Sequence, residues 1–177
     1  MRCFVGVDLD EGLKPMITAL QEQMKDFDVK RVEPQNMHFT LKFLGEIDHD
    51  RIDKVSEILD GISDNFKLFT AAVKGTGVFP SLSYIRVIWV GCDEMLGLQS
   101  AVEDALSQMF KKEKPTPHLT IARVRSGRYR DKLKEFAEHH KDTEVGTMCV
   151  DRIKLKKSTL AHEGPVYEDV QTFGLKT

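Results

Sequence analysis

Two short stretches carry side chains whose types and spacing could do chemistry: His38-Phe39-Thr40-Leu41 and His118-Leu119-Thr120-Ile121. In each, a histidine stands two residues before a threonine, and apolar residues fill the other positions. Such alternation marks a half-buried strand. A period of two puts His38 and Thr40 on one face, with Phe39, Leu41 and Phe43 on the other. The same parity groups His118 with Thr120 and sends Leu119 and Ile121 behind them. Imidazole is the side chain best suited to gain and lose a proton near neutral pH. A threonine hydroxyl can donate a hydrogen bond to an anionic oxygen. Two such strands facing each other would surround one small anion, and a phosphodiester suits them. A neutral imidazole would take a proton from the attacking oxygen, and a protonated one would give a proton to the leaving oxygen. The hydroxyls would hold the non-bridging oxygens. Nothing in this scheme requires a metal.

One His-x-Thr on a strand means little, because core and edge histidines are common. Two copies in the same apolar frame, about half the chain apart, suggest one strand from each of two related lobes.

The rest of the sequence supplies elements to carry these strands. With 177 residues, 41% hydrophobic and 31% charged, the chain fits one globular unit spanning 1–177. A net charge of −2 gives no global basic signature, so any nucleic-acid contact must come from a local patch. No stretch approaches the ~20 apolar residues of a membrane span, and no signal-peptide pattern precedes the first strand. Cys3, Cys92 and Cys149 lack CxxC spacing and read as reduced, buried thiols of a cytoplasmic protein.

Residues 3–9 read as a strand. A helix follows, carrying Leu13, Met16, Ile17, Leu20 and Met24, with Asp10 as N-cap and Pro15 in its first turn. Residues 29–33 form a short strand before Pro34. Asp48 or Asp50 caps a second helix bearing Ile52, Val55, Leu59 and Ile62. Residues 66–74 and 84–91 alternate as strands around a loop containing Gly75, Gly77, Pro80 and Ser81. A third helix from Asp93 carries Met95, Leu98, Val102, Leu106 and Met109. Its end, Lys111-Lys112-Glu113-Lys114, reads as a solvated helix terminus rather than an RNA contact. A fourth helix carries Leu133, Phe136 and Ala137, and residues 147–157 and 165–175 are the last strands. This order implies an α+β fold, with helices packed outside mostly antiparallel sheets.

The two motifs resemble those of the two-histidine phosphoesterases. Within them the chain looks like the 2′-5′ RNA ligase group, also called RNA 2′,3′-cyclic phosphodiesterases. Met1-Arg2-Cys3-Phe4-Val5-Gly6-Val7-Asp8 resembles the family's first strand, and His38 through Gly45 its first motif block. Gly77-Val78-Phe79-Pro80 with Arg86 through Gly91 resembles its middle block, and Pro117 through Val124 its second motif block. Leu155 through Ser158 and Gly164-Pro165-Val166-Tyr167 resemble its closing strands. The likeness thus covers nearly the whole chain in order. It implies a bilobal, pseudo-twofold arrangement of two mostly antiparallel sheets, each backed by two helices, with the active-site cleft between the lobes. It implies metal-independent hydrolysis of RNA 2′,3′-cyclic phosphate ends to 2′-phosphates, and by reversal a 2′-5′ ligation. His38 and His118 would be the acid–base pair and Thr40 and Thr120 would hold the phosphate. The family pattern makes His38 the proton donor and His118 the base, an order the residues themselves leave open. Arg123 would help bind phosphate or substrate. An ideal strand, however, sends Arg123 to the face opposite His118, so it would need a bulge or a bend to join the site. Lys42 falls on the His38 face and reads as an exposed strand lysine.

Phe79, Tyr84 and Trp89 could include a base-stacking ring, against the plainer reading of core packing. Arg123, Arg125, Arg128 and Arg130 form the best local candidate for RNA-backbone contact, against a solvated loop. His49, His139, His140 and His162 lack a threonine at the right offset. No cofactor is expected: no zinc-ligand spacing, P-loop or GxGxxG is present. The expected partner is RNA or an oligonucleotide with a 2′,3′-cyclic phosphate end, met by a monomer away from membranes. Two other readings stay open: a non-catalytic nucleotide- or RNA-binding module, and a phosphodiesterase for 2′-5′ oligonucleotides or small cyclic nucleotides.

Overall fold

Alternating apolar residues build nine strands and helical repeats build four helices in the computed structural model, which describes residues 1–177. The first part of the chain runs β1 (Arg2–Asp8), α1 (Lys14–Glu22), β2 (Val29–Arg31), β3 (His38–Glu46) and α2 (His49–Asn65). The middle runs β4 (Phe69–Ser81), β5 (Tyr84–Gly91), α3 (Leu96–Ala105) and β6 (His118–Val124). The last part runs α4 (Arg130–His139), β7 (Glu144–Val150), β8 (Arg152–Ala161) and β9 (Gly164–Gly174). Neighbouring strands pair antiparallel in the order β7-β4-β5-β6-β3-β1-β8-β9, with β2 pairing β6.

The order divides at the motif strands. β7-β4-β5-β6 make one half, backed by α1 on β6 and by α4 on β4 and β5. β3-β1-β8-β9 make the other, backed by α3 on β3 and by α2 on β8 and β9. The halves are therefore interleaved in sequence. Only Phe39 and Leu119 pair across the seam. The expected two sheets are thus hydrogen-bonded into one nine-stranded sheet. The strands then separate because β2 takes the edge of β6 from Ala122 to Val124. The Val32 N–H and the Gln21 side-chain amide also donate to the Ile121 carbonyl.

Several local expectations shift for physical reasons. Asp48, rather than Asp50, caps α2 by accepting from the Arg51 N–H at 2.9 Å. Asp10 caps a short 3-10 turn ahead of α1, and Met16 faces solvent while Ile17 and Leu20 go inward. The loop expected around Gly75–Ser81 is the second half of β4, because those residues pair with β5. Gly77 is needed there: a Cβ would lie 2.2 Å from the Trp89 ring. The strand expected over 147–157 is two strands, β7 and β8, which break at Asp151 and join opposite halves. Cys3 and Cys92 are buried, but Cys149 is exposed on the outer face of β7.

Both motif strands carry a bulge at the same point. Leu41 and Lys42 together oppose Val5, and Ile121 and Ala122 together oppose Ile88. Each bulge turns two successive side chains to the core and reverses parity beyond it. Lys42 therefore does not share the His38 face; it is 3% exposed, and Phe43 takes the outer face at 63%. The Lys42 ammonium donates to Glu103 Oε2 at 2.9 Å and to the Lys111 carbonyl. The same carboxylate oxygen accepts from the Glu113 N–H at 3.0 Å. This buried pair explains the third helix. It ends at Ala105, and residues 111–117 run as an irregular segment pinned to the core.

Glu103→Ala would strand the Lys42 charge in the core, at an expected cost of about 3–5 kcal/mol. Lys42→Met combined with Glu103→Leu is expected to recover at least half of that in urea unfolding. A double variant as unstable as Glu103→Ala would show that the stranded charge is not the cause.

Candidate active site

The seam pair sets the site. With Phe39 opposite Leu119 in an antiparallel register, His38 stands across from Thr120, and Thr40 across from His118. Phe39, Leu41, Leu119 and Ile121 are at most 1% exposed on the core side. The two histidines and two threonines share the other face, half-buried in a cleft.

Both imidazoles are oriented alike. Nδ1–H of His38 donates to the Asn36 carbonyl at 2.7 Å, and Nδ1–H of His118 donates to the Thr116 carbonyl at 2.6 Å. A carbonyl only accepts, so the proton of each neutral ring lies on Nδ1 and the lone pair on Nε2. The Thr40 hydroxyl donates to Nε2 of His38 at 2.9 Å. Asn36 also ties this arrangement to β9, its side-chain amide donating to the Pro165 carbonyl at 3.1 Å.

Each ring sits among aromatic side chains. Phe4 and Tyr167 lie 4.8 and 5.1 Å from His38, between ring centroids. Phe79 meets His118 at 4.9 Å and 90°, and Trp89 lies 6.1 Å away. Trp89 packs against Phe79 at 5.3 Å and flanks the His118 ring. Its indole N–H is buried without a partner, as is the amide oxygen of Gln99. Tyr84 stands apart from these rings, under the Arg86 guanidinium.

Charge completes the site. Arg123 lies beyond the β6 bulge, on the same face as His118 and Thr120, so the bulge it needed is present. Asp8 is the register partner of His38. Lys154 and Lys156 bridge Asp8 to Asp169 through four ion pairs of 2.7 to 2.9 Å. Burial would raise both carboxyls, but the hydrogen bonds from the two lysines outweigh it and hold Asp8 and Asp169 below the usual range. Burial is also the largest influence on His38. It pushes the ring down to about 4, aided by Lys156 and Arg123 and opposed by the Asn36 hydrogen bond and Asp8. His118 is lowered by burial first and by Arg123, against the Thr116 hydrogen bond. Both rings are therefore neutral at rest near pH 7.

A groove of about 460 Å³ opens beside Thr40 and His118, lined also by Phe43, Phe79 and residues 111–114. The Arg128–Arg130 cluster lines a separate depression with Ser83 and Tyr84. Sequence reasoning missed Asp8, Phe4, Tyr167, Lys154 and Lys156 as neighbours of the motifs. Only the paired motifs and the register of β1 and β8 beside them could have pointed there. No three His, Cys, Asp or Glu side chains converge as a metal site, and no helix is long and apolar enough to cross a membrane.

Comparison with known proteins identifies the class to which the chain belongs. The model of the LigT-like phosphoesterases matches residues 7–89 and 92–167. A protein named RNA 2′,3′-cyclic phosphodiesterase in Methanothermobacter thermautotrophicus is 38% identical, the match covering 99% of each chain. One of the same name in Methanocaldococcus jannaschii is 39% identical over 97% of this chain and 99% of its own. The crystal structure of TT0787 from Thermus thermophilus superposes with a TM-score of 0.83 at 26% identity, covering 99% of this chain and 98% of the other. The chain belongs to the LigT-like phosphoesterase family.

Titration of the ring protons by NMR should find His38 changing state near pH 4 and His118 below its ordinary 6.5. Inorganic phosphate should move both midpoints upward, since an anion favours the imidazolium. A midpoint for His38 above 6.5 in the free protein would contradict the burial argument.

Proposed function

We propose that this chain hydrolyses RNA 2′,3′-cyclic phosphate ends to 2′-phosphates, with no metal in the catalytic step. The observation that carries this reading is the matched pair of imidazoles. Each has Nδ1 tied to the carbonyl two residues before it, which leaves Nε2 for chemistry, that of His38 accepting from the Thr40 hydroxyl at rest. Two relatives of that name, at 38% and 39% identity over nearly the whole chain, support it.

In the proposed step, water attacks phosphorus and His118 Nε2 takes its proton. The bond from phosphorus to the 3′ oxygen breaks, and His38 Nε2–H protonates that oxygen. The 2′-phosphate remains. Replacing water by the 5′-hydroxyl of a second strand gives a 2′-5′ linkage by the same transfers. Thr40, Thr120 and Arg123 hold the non-bridging oxygens as charge builds on them. The order of roles is the one the family resemblance implies. Nε2 of His118 has no side-chain partner and is free to take a proton; at His38, Asp8 favours the protonated form, but burial outweighs it and holds the empty ring at about 4. The bound phosphate supplies the further negative charge that protonates His38.

Each half of the chain supplies one motif, so residues 1–177 act as one unit, and a monomer carries the complete site. Free thiols at Cys3, Cys92 and Cys149 suit the cytoplasm.

The test is turnover of a 2′,3′-cyclic nucleotide with excess chelator, the product identified as 2′- or 3′-phosphate. His38→Ala and His118→Ala should each lose roughly 10²–10⁴-fold in rate while staying folded. The kcat/KM profile should rise as the base loses its proton and fall as the acid loses its own. Because burial lowers both rings, its maximum should lie below pH 6.5, and that of kcat higher. Normal activity in either variant would remove the two-histidine mechanism. Turnover abolished by chelator would remove the metal-free step, and saturable binding without turnover would leave a binding module.

A further inference from the structure

Four charged side chains on the cleft face have no part in the proposed transfers. Asp8 lies on β1, Lys154 and Lys156 on β8, and Asp169 on β9. Each lysine meets both carboxylates, at 2.7 to 2.9 Å. The register puts this square of charges beside a motif histidine. Asp8 pairs with His38, Lys154 with Gly6, and Lys156 with Phe4 on one side and Asp169 on the other. Gly6 leaves the imidazole its room: a Cβ there would lie 2.9 Å from the Phe39 carbonyl oxygen and 3.6 Å from the His38 ring. The same three strands surround that ring with aromatic side chains. His38, Phe4 and Tyr167 pack together with centroids 4.8 to 5.1 Å apart.

Joining the strands does not require the square. β8 and β9 pair from Arg152 opposite Gly174 to Ala161 opposite Gly164, and β1 is paired along both edges. What the square changes is the charge of the cleft. Two bare carboxylates there would repel an anionic substrate and favour a charged imidazole before any substrate arrived. Two lysines cancel them. Lys156 is the better placed of the two. Its side chain is only 8% exposed, so solvent screens it little. It also bears on His38 itself, with a sign opposite to that of Asp8. The groups facing His38 are thus Asp8 from β1, Lys156 from β8 and Tyr167 from β9, with Arg123 and His118 from the other half. Burial pushes the Tyr167 phenol up, so it stays neutral.

We infer that Lys156 is a positioning residue: paired with Asp8 and Asp169, it cancels the carboxylate beside His38, so that the substrate's own phosphate supplies the charge that makes this ring an acid. The inference rests on the proposed role of His38 as proton donor. Without the lysine, Asp8 would charge the empty ring too readily, and a proton held more tightly is given up less easily to the leaving oxygen. The cleft would also carry a net negative charge where a phosphate has to bind.

The experiment follows the His38 ring by NMR through a pH titration of the free protein, in the wild type, Lys156→Met, Asp8→Asn and the double variant. Methionine keeps an unbranched stem and removes the charge. Lys156→Met should raise the midpoint by at least about half a pH unit, and Asp8→Asn should lower it. The double variant should return close to the wild type, because both charges leave together. Lys154→Met should move the ring less than Lys156→Met does. Overhauser contacts of the His38 ring with Phe4 and Tyr167 should persist throughout. An unmoved midpoint in Lys156→Met overturns the inference. A midpoint that rises only as those ring contacts vanish also overturns it, because the lysine then acts by packing alone. Where Lys156→Met does not fold, Asp8→Asn carries the test, and an unmoved midpoint there is equally fatal. Turnover of a 2′,3′-cyclic nucleotide is scored separately. With turnover present, an unmoved midpoint removes the role of Lys156 and leaves the proposed reaction standing. Absence of turnover in the wild type removes the reaction, and with it the acid that Lys156 serves.

Discussion

One backbone pair, Phe39 with Leu119, holds the two halves of this protein in register at their shared seam. Every contact of the cleft follows from that register. It sets each histidine against the other motif's threonine, so one phosphate can meet all four groups. The side-chain period of a strand is two, so a slip of one residue would send an imidazole into the core and a large apolar ring into the cleft. The cost of such a slip is what locks the pair: Phe39 and Leu119 are both 0% exposed, each buried against its own half. β2 then claims the rest of the β6 edge, which keeps the halves from zipping further and leaves the cleft open.

The paired bulges are the second constraint, and there the pseudo-twofold is both clearest and most usefully broken. Both strands turn two successive residues inward after the threonine. In β6 these are Ile121 and Ala122, ordinary core residues. In β3 they are Leu41 and Lys42, and the lysine needs Glu103. That requirement links the motif strand to residues 111–114 and so builds the groove wall. The residue after each bulge returns to the cleft as Phe43 on one strand and Arg123 on the other. At the neighbouring strands, Asp8 opposes His38 and Gly91 opposes His118. One imidazole thus has a lysine-paired carboxylate beside it and the other has none, although burial is the largest influence on both.

The motif faces, the four helices and the α+β class were legible because periodicity reports burial directly. The bulges were not. Leu41-Lys42 and Ile121-Ala122 contain no glycine or proline, and strict alternation therefore misassigned Phe43 and Lys42 and left Arg123 stranded. Likewise, nothing in the alternating run through Asp151 signals that the chain leaves one half for the other there. The break depends on which strands are free to pair, not on local propensity. Gly75, Gly77 and Pro80 read as a loop by composition, yet Gly77 lies in a strand because the Trp89 ring crosses it. The aromatic walls and the Asp8–Lys154–Lys156–Asp169 cluster come from strands far apart in the chain. Only the sheet order brings them to the histidines.

Burial of the histidines bears on their chemistry. In water an imidazole is partly charged near neutrality, but here desolvation holds both rings neutral, and Arg123 depresses both further. A site with two neutral rings has its base ready and lacks its acid. In the proposed reaction, a phosphate bound beside the rings offsets the cations that had disfavoured protonation, and adds an anion that favours it. Substrate charge would thereby complete the acid–base pair of that reaction when it is required. An empty cleft need not hold an imidazolium against two cations in an apolar, aromatic pocket.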